Sequence, residues 1–219
     1  MNNPFEIIFQ DEYVVVLNKI AKILVQPSPR KEKHTLTSLL AQRLKEPVLP
    51  CHRLDRETSG LIIYAKDRNS QRKIMDEFRA GVVRKKYIAF IRGELNKKKG
   101  KLEGYILDKE GRKFGEKFKK AKTIYSVLRQ SPGFSVVEVT PLTGRTNQLR
   151  IQFSKLGHPI LGERKYALGR DFKVNFRRLA LHAFFLSFIH PVSRQRVSLD
   201  IGLAVDMKEF LKKKGVNIL

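Results

Sequence analysis

Cysteine and negative charge are both scarce in this chain. One cysteine, Cys51, in 219 residues excludes an internal disulfide and any cysteine-based zinc cluster. With no dedicated base beside it in the sequence, Cys51 reads as a small buried filler and not as a nucleophile. Against 21 Asp plus Glu stand 45 Lys plus Arg, a formal charge of +24. An excess of that size repels itself unless a polyanion offsets it. Nucleic acid is the commonest such partner, and anionic membrane is the competitor. No apolar run approaches the roughly 18 residues that span a bilayer, and the N-terminus lacks a basic-then-apolar signal pattern. The expectation is a cytoplasmic protein with no membrane segment. Solenoid-spaced repeats and long Gly, Ser or Pro linkers are also missing, which favours one domain over residues 1–219.

What is present reads as a globular α+β chain, with 42% hydrophobic and 30% charged residues. The β-branched run Tyr13 to Leu17 predicts a buried strand, with Ile23 to Val25 as its hairpin partner before Pro27 and Pro29 break the pattern. Leu36, Leu39, Leu40 and Leu44 fall at helical spacing, predicting a helix over Thr35 to Lys45. A strand over Leu61 to Lys66 follows, then a helix capped by Asp67, running to about Ala80 and stopped by Gly81. Tyr87 to Gly93 is a further strand, and Lys97 to Lys101 an exposed turn. Ile124 to Leu128 and Phe134 to Val139 are expected to pair across Ser131-Pro132-Gly133. A helix over Thr146 to Leu156 ends at Gly157, Leu179 to Ile189 is a strand, and Val205 to Lys214 a closing helix. Hairpin-spaced strands interrupted by a few helices indicate a mixed, largely antiparallel sheet flanked by helices.

Chemistry concentrates in a few segments. His52-Arg53-Leu54-Asp55-Arg56-Glu57-Thr58-Ser59-Gly60-Leu61 places one carboxylate, Asp55, between arginines in a polar loop feeding an apolar strand. That suits an ionised, positioned acid, and equally an acid that ties the loop down through Arg53 or Arg56. In Gly144-Arg145-Thr146-Asn147-Gln148-Leu149-Arg150, arginines flank a helix start with Gln148 between them. Cations at the positive end of a helix make sense if an anion docks there. His158, in Gly157-His158-Pro159-Ile160-Leu161-Gly162, reads as a loop histidine satisfied by backbone. His182 and His190 are wrongly spaced to share an ion, so no metal is expected. Lys85-Lys86 and the tract from Lys97 to Lys122 make an electrostatic surface for phosphates, and Tyr87 beside the basic pair is a candidate to stack on an extruded base or to sit in the core.

Taken in order, these segments resemble the RluA-type RNA pseudouridine synthases. The resemblance rests on His52-Arg53-Leu54-Asp55 through Thr58-Ser59-Gly60-Leu61, on Val16-Leu17-Asn18-Lys19, and on Lys86-Tyr87-Ile88-Ala89. Gly144-Arg145-Thr146 with Gln148-Leu149-Arg150, then Gly157-His158-Pro159-Ile160, and finally Leu181-His182-Ala183 with His190-Pro191, complete it. It implies a pseudouridine synthase fold with an RNA-binding cleft and cofactor-free isomerisation of uridine to pseudouridine in ribosomal or transfer RNA. Asp55 is then the essential carboxylate, Tyr87 packs against the target base, Arg150 is the ion-pair partner of Asp55, and Arg53 fills the gap left by a flipped nucleotide. Arg145 and Gln148 complete the substrate-binding set. Structured RNA is the expected partner, the protein a monomer, and an S4-type domain is not expected because the catalytic pattern starts near residue 5. Asn147 and Gln152 depart from the family's histidines, and Ile20 and Lys22 from its Pro and Gly after Asn-Lys; these departures bear on the RNA target.

The reaction breaks the N1–C1′ bond, turns the base and rejoins it through C5. Glycoside hydrolases need two carboxylates because water is activated and a leaving oxygen protonated. Here the base is retained, so one carboxylate suffices, by attack at C1′, by addition to C6 or by removal of a C2′ proton. Two rivals remain at this stage. A non-catalytic RNA-binding or ribosome-assembly protein explains the charge but needs no Asp-centred motif. A metal-dependent nuclease needs convergent acids, and near Asp55 the sequence offers Glu57 and Asp67.

Overall fold

The computed structural model describes residues 3–28, 32–108, 117–167 and 174–217. They form two compact units, Met1–Lys85 with Ala183–Gly202, and Lys86–His182 with Leu203–Leu219. Pro29 and residues 109–116 of the basic tract lie outside the described residues.

In the first unit, β1 (Phe5–Gln10) pairs antiparallel with β2 (Val14–Lys19), and β2 with β4 (Ser59–Ala65). The two-residue β3 (Leu49–Pro50) joins the far end of β4. Every residue of β4 is buried, as its unbroken apolar run requires, since a strand covered on both faces has no polar side to show. Helix α1 (Leu36–Leu44) begins in a capping box between Thr35 and Ser38. Helix α2 (Arg68–Ala80) starts at Asp67, whose carboxylate accepts from Ser70 N, and stops at left-handed Gly81, as expected. Its Ile74 packs into a core of Val14, Val16, Leu61, Ile63 and Phe188. Strand β9 (Leu181–Ile189) pairs antiparallel with β10 (Arg196–Asp200) through Phe185 to Ile189.

The hairpin partner of β2 is β1, not Ile23 to Val25. The carbonyls of Leu24 and Val25 accept instead from Leu36 N and Thr37 N, at 2.7 and 3.1 Å, so this segment serves the open N-terminus of α1.

In the second unit the strand order is β5-β8-β7-β6, for β5 (Arg84–Arg92), β6 (Lys99–Asp108), β7 (Lys117–Ser131) and β8 (Phe134–Pro141). The expected pairing across the Pro132-Gly133 turn is present, with β7 much longer than Ile124 to Leu128. The expected Lys97–Lys101 turn is corrected: from Lys99 onward the chain is β6, paired along its whole length with β7. Helix α3 (Gln148–Lys155) buries Leu149 and Phe153 as expected, while Leu156 stays 40% exposed. Helix α4 (Val205–Lys213) brings Phe210 against Phe90, Phe134 and Phe176. All strand pairings described within the two units are antiparallel, consistent with the expected α+β class. No helix among the described residues is long and apolar enough to cross a membrane.

Candidate active site

Asp55 sits half-buried in the loop between β3 and β4, and the loop is pinned at both ends. Upstream, Cys51 N donates to Ile63 O and His52 Nε2 accepts from Ile63 N, both at 3.1 Å. Downstream, Thr58 N donates to the Asp55 carbonyl at 3.1 Å, closing a turn around the acid. Thr58 and Ser59 are buried, and Gly60 has φ +115°, with a Cβ there running into the backbone of Ala183. Only glycine fits.

The strongest clamp comes from Lys19. This lysine is fully buried, and its ammonium donates to the carbonyls of Ile20 (2.9 Å), Ile23 (3.0 Å) and Arg56 (3.2 Å). Arg56 O, adjacent to Asp55, also accepts from Lys22 N at 2.7 Å. The turn after β2 is thereby docked on the Asp55 loop. Lys22 pays a conformational cost for this, at φ 71°. The glycine expected there by family resemblance would adopt that angle freely, and the Lys22 side chain is exposed. Relief of left-handed strain (about 1–2 kcal/mol) outweighs the entropy that glycine adds to the unfolded chain (about 0.4–1 kcal/mol). Lys22→Gly should therefore be more stable by about 0.5 kcal/mol in urea unfolding; a loss of that size would contradict the assignment.

His52 is not an acid–base group. Burial, with the charge of Lys85 adding to it, pushes the imidazole down to about 3. The ring packs on Phe78 with centroids 4.7 Å apart, and the Lys85 ammonium lies 5.7 Å from the Phe78 centroid. A histidine held neutral in the fold but protonated when unfolded favours the unfolded chain below its ordinary value. His52 should thus leave stability unaffected above pH 6.5 and remove about 1.4 kcal/mol per pH unit as pH falls from there toward 3. Denaturation of His52→Gln between pH 4 and 8 checks this, since the variant should lose that slope. Cys51 is buried with its thiol pushed up to about 12 by desolvation, in keeping with a filler.

In the second unit, Tyr87 stands on β5 opposite Val139, 9% exposed, beside a Lys86–Glu138 ion pair at 3.1 Å. Arg145 precedes α3, its Nε donating to Lys120 O at 3.2 Å. Gln148 is spent on the protein. Its Nε2 donates to Lys122 O (3.0 Å) and Thr123 Oγ1 (2.9 Å), and its Oε1 accepts from Thr143 Oγ1 (2.7 Å) and Arg145 N (3.1 Å). These bonds lock the loop that carries Arg145. Gln152 does likewise, accepting from Thr123 Oγ1 at 2.6 Å and donating to Leu102 O at 3.1 Å. Asn147 caps α3 in the left-handed region, a conformation that asparagine and histidine both tolerate.

Arg150 forms a two-pronged ion pair with Glu163, Nε at 2.6 Å and Nη2 at 2.9 Å. Sequence reading had not singled out Glu163. An acid just after the Gly157–Gly162 turn, in a chain so short of acids, was the available signal. Burial opposes ionisation of Glu163, but Arg150 and the amides of Lys165 and Tyr166 outweigh it and hold the carboxyl below its ordinary value. His158 Nδ1 donates to Arg92 O at 2.7 Å, the backbone-satisfied histidine expected. His190 Nδ1 accepts from Ser193 N at 3.0 Å, and its Nε2 lies 2.8 Å from Asp11 Oδ2. Among the described residues, no three His, Cys, Asp or Glu side chains gather as a metal-binding group.

The sequence pattern described as RNA pseudouridylate synthase matches residues 13–155, from β2 through α3. The chain belongs to the RNA pseudouridylate synthase family. It is 36% identical over 202 residues to the dual-specificity RNA pseudouridine synthase RluA of Pasteurella multocida, covering 88% of this chain and 90% of that protein. It is 31% identical over 220 residues to ribosomal large subunit pseudouridine synthase C of Haemophilus influenzae, covering 95% and 68%. The solved structure of human RNA pseudouridylate synthase domain containing 4 superposes with a TM-score of 0.81 at 26% identity, covering 96% of this chain and 93% of that one. As an RNA pseudouridylate synthase, the protein is an isomerase that converts uridine to pseudouridine in RNA.

Proposed function

We propose that this synthase isomerises uridine in structured ribosomal or transfer RNA, with Asp55 as the catalytic carboxylate, Tyr87 packed against the target base, and Arg53, Arg145 and Arg150 as its cationic partners. The carrying observation is the clamped Asp55 loop: His52 on one side and Lys19 through Arg56 O on the other hold one acid in place. Preorganisation of that kind is what a group that must attack or abstract without reorganising requires. The uridine leaves its stack at a cost of a few kcal/mol, offset by stacking on Tyr87 and by phosphate contacts. Arg53 is exposed, as filling the gap left by a flipped nucleotide requires. Gln148 acts from behind, through the Arg145 loop.

The β6–β7 ribbon supports RNA as partner. It carries Lys99, Lys101 and Lys120 at its surface, with Tyr105 61% and Phe118 69% exposed. Cations beside open aromatic rings are the elements of a surface that tracks a phosphate backbone and stacks on bases. The protein works as a monomer in the cytoplasm and without a cofactor on this reading. Transcriptome-wide mapping of pseudouridine in cells lacking the gene tests it. Sites that vanish and return with the wild-type gene name the RNA; an unchanged map contradicts the proposal.

A further inference from the structure

We infer that Glu163 is a positioning residue of the isomerase: with Asn147 it fixes the orientation of the Arg150 guanidinium, and turnover depends on its carboxylate although it touches no substrate. The inference rests on the reading above that gives Arg150 a part in the reaction.

The Glu163 side chain is fully shielded, and it accepts from four donors: Arg150 Nε (2.6 Å), Arg150 Nη2 (2.9 Å), Lys165 N (2.8 Å) and Tyr166 N (3.2 Å). Two parallel bonds to one carboxylate fix the plane of a guanidinium as well as its position. The remaining edge is held by Asn147, whose Oδ1 accepts from Nη1 at 2.7 Å. The Tyr166 ring covers a face, 5.2 Å from Arg150 Cζ. Edge, far edge and face are therefore all set by this one unit.

The carboxylate also ties down the turn that follows it, through Lys165 N and Tyr166 N, but the turn that presents Glu163 is held without it. Glu163 N donates to Ile160 O at 3.0 Å, and Gly162, at φ 80°, lies so close to the Arg178 carbonyl that a Cβ would collide with it. The turn is thus anchored by backbone. Burying a carboxylate is costly, and a well-packed apolar pair often serves stability as well or better. Two backbone amides alone do not call for a buried negative charge, so a shielded acid that grips one guanidinium with both oxygens is better explained by what the arginine must do.

Glu163→Gln keeps the volume but has one acceptor oxygen, and its NH2 would face N–H donors. Turnover measured by tritium release should fall about 100-fold, with KM for RNA changed less than about threefold. Glu163→Asp keeps the charge on a shorter stem and should recover about tenfold of that loss. Asn147→Gly retains the left-handed cap while deleting the third bond, and should lower kcat by about tenfold at constant KM; it carries the test if Glu163→Gln does not fold. Wild-type kcat in either Glu163→Gln or Asn147→Gly, or an Asp variant no better than Gln, would overturn the inference. Arg150→Met is run alongside. Full turnover in that variant overturns the reading of Arg150 itself, whereas a dead Arg150→Met with a fully active Glu163→Gln overturns the role of Glu163 alone.

Discussion

Lys19→Met should lose about 3 kcal/mol of stability, an effect large enough to shift the urea midpoint by more than about 1 M. Methionine matches the length and volume of the lysine stem, so no cavity opens and packing is nearly kept. The loss is electrostatic. Three carbonyls, of Ile20, Ile23 and Arg56, lose the donor that the buried ammonium supplies, at 2.9, 3.0 and 3.2 Å. Charged hydrogen bonds contribute about 1.5–3 kcal/mol each, and a buried acceptor left without its donor costs about 1–3. Against this, the variant escapes the desolvation of a charge that is 0% exposed. Arg56 O keeps Lys22 N at 2.7 Å, so the carbonyls of Ile20 and Ile23 carry most of the cost. The balance is well below the gross sum, and a loss under about 1 kcal/mol would show that the clamp contributes little. Because Arg56 follows Asp55, the same variant should also lower kcat under conditions where it is fully folded.

Asp55→Asn should bind RNA as the wild type does and lose isomerisation by roughly four orders of magnitude, the scale seen when the reacting group of an enzyme is removed. The substitution is isosteric and removes only the negative charge. Each route open to one carboxylate, attack at C1′, addition at C6 or removal of a C2′ proton, needs that charge. Binding draws on other groups, the lysines of the β6–β7 ribbon and Tyr87 among them. Loss of one negative charge in a chain of +24 should, if anything, tighten the hold on a polyanion. Retained filter binding without turnover therefore separates chemistry from folding and from RNA recognition.

Much of this was legible in the residues because local and global signals agree. The buried run of β4, the Asp67 cap and Gly81 stop of α2, and the α3 stripe of Leu149 and Phe153 each have a physical signature that tertiary structure leaves in place. The β6–β7 ribbon was not legible. From Lys99 to Tyr105 no residue of β6 is buried, so no face had to be apolar and no period appeared. The Ile23–Val25 segment looked like a strand by composition, yet its carbonyls are taken by the amides of α1, a use that composition does not encode. For the site, the Asp55 loop and Arg150 stood out as motifs, while the groups that hold them did not. Lys19 was seen as part of an Asn-Lys pair and not as a buried ammonium. Glu163 lies thirteen residues from Arg150 and had no pattern tying the two together. Gln148 stood out in the arginine-flanked motif, but its bonds to Lys122 O and Thr143 Oγ1 had no signature there.

The central claim is that the carboxylate of Asp55 carries out the isomerisation. Single-turnover tritium release, with enzyme in excess over RNA labelled at C5 of uridine, tests it most directly. Formation of the C5–C1′ bond expels the C5 hydrogen to solvent while N1 takes up a proton, so every rearranged uridine releases its label. Wild-type enzyme should release the label of its target uridine in full, and Asp55→Asn, saturated with the same RNA, should release none above background over the same period. Release by Asp55→Asn at the wild-type rate would contradict the account.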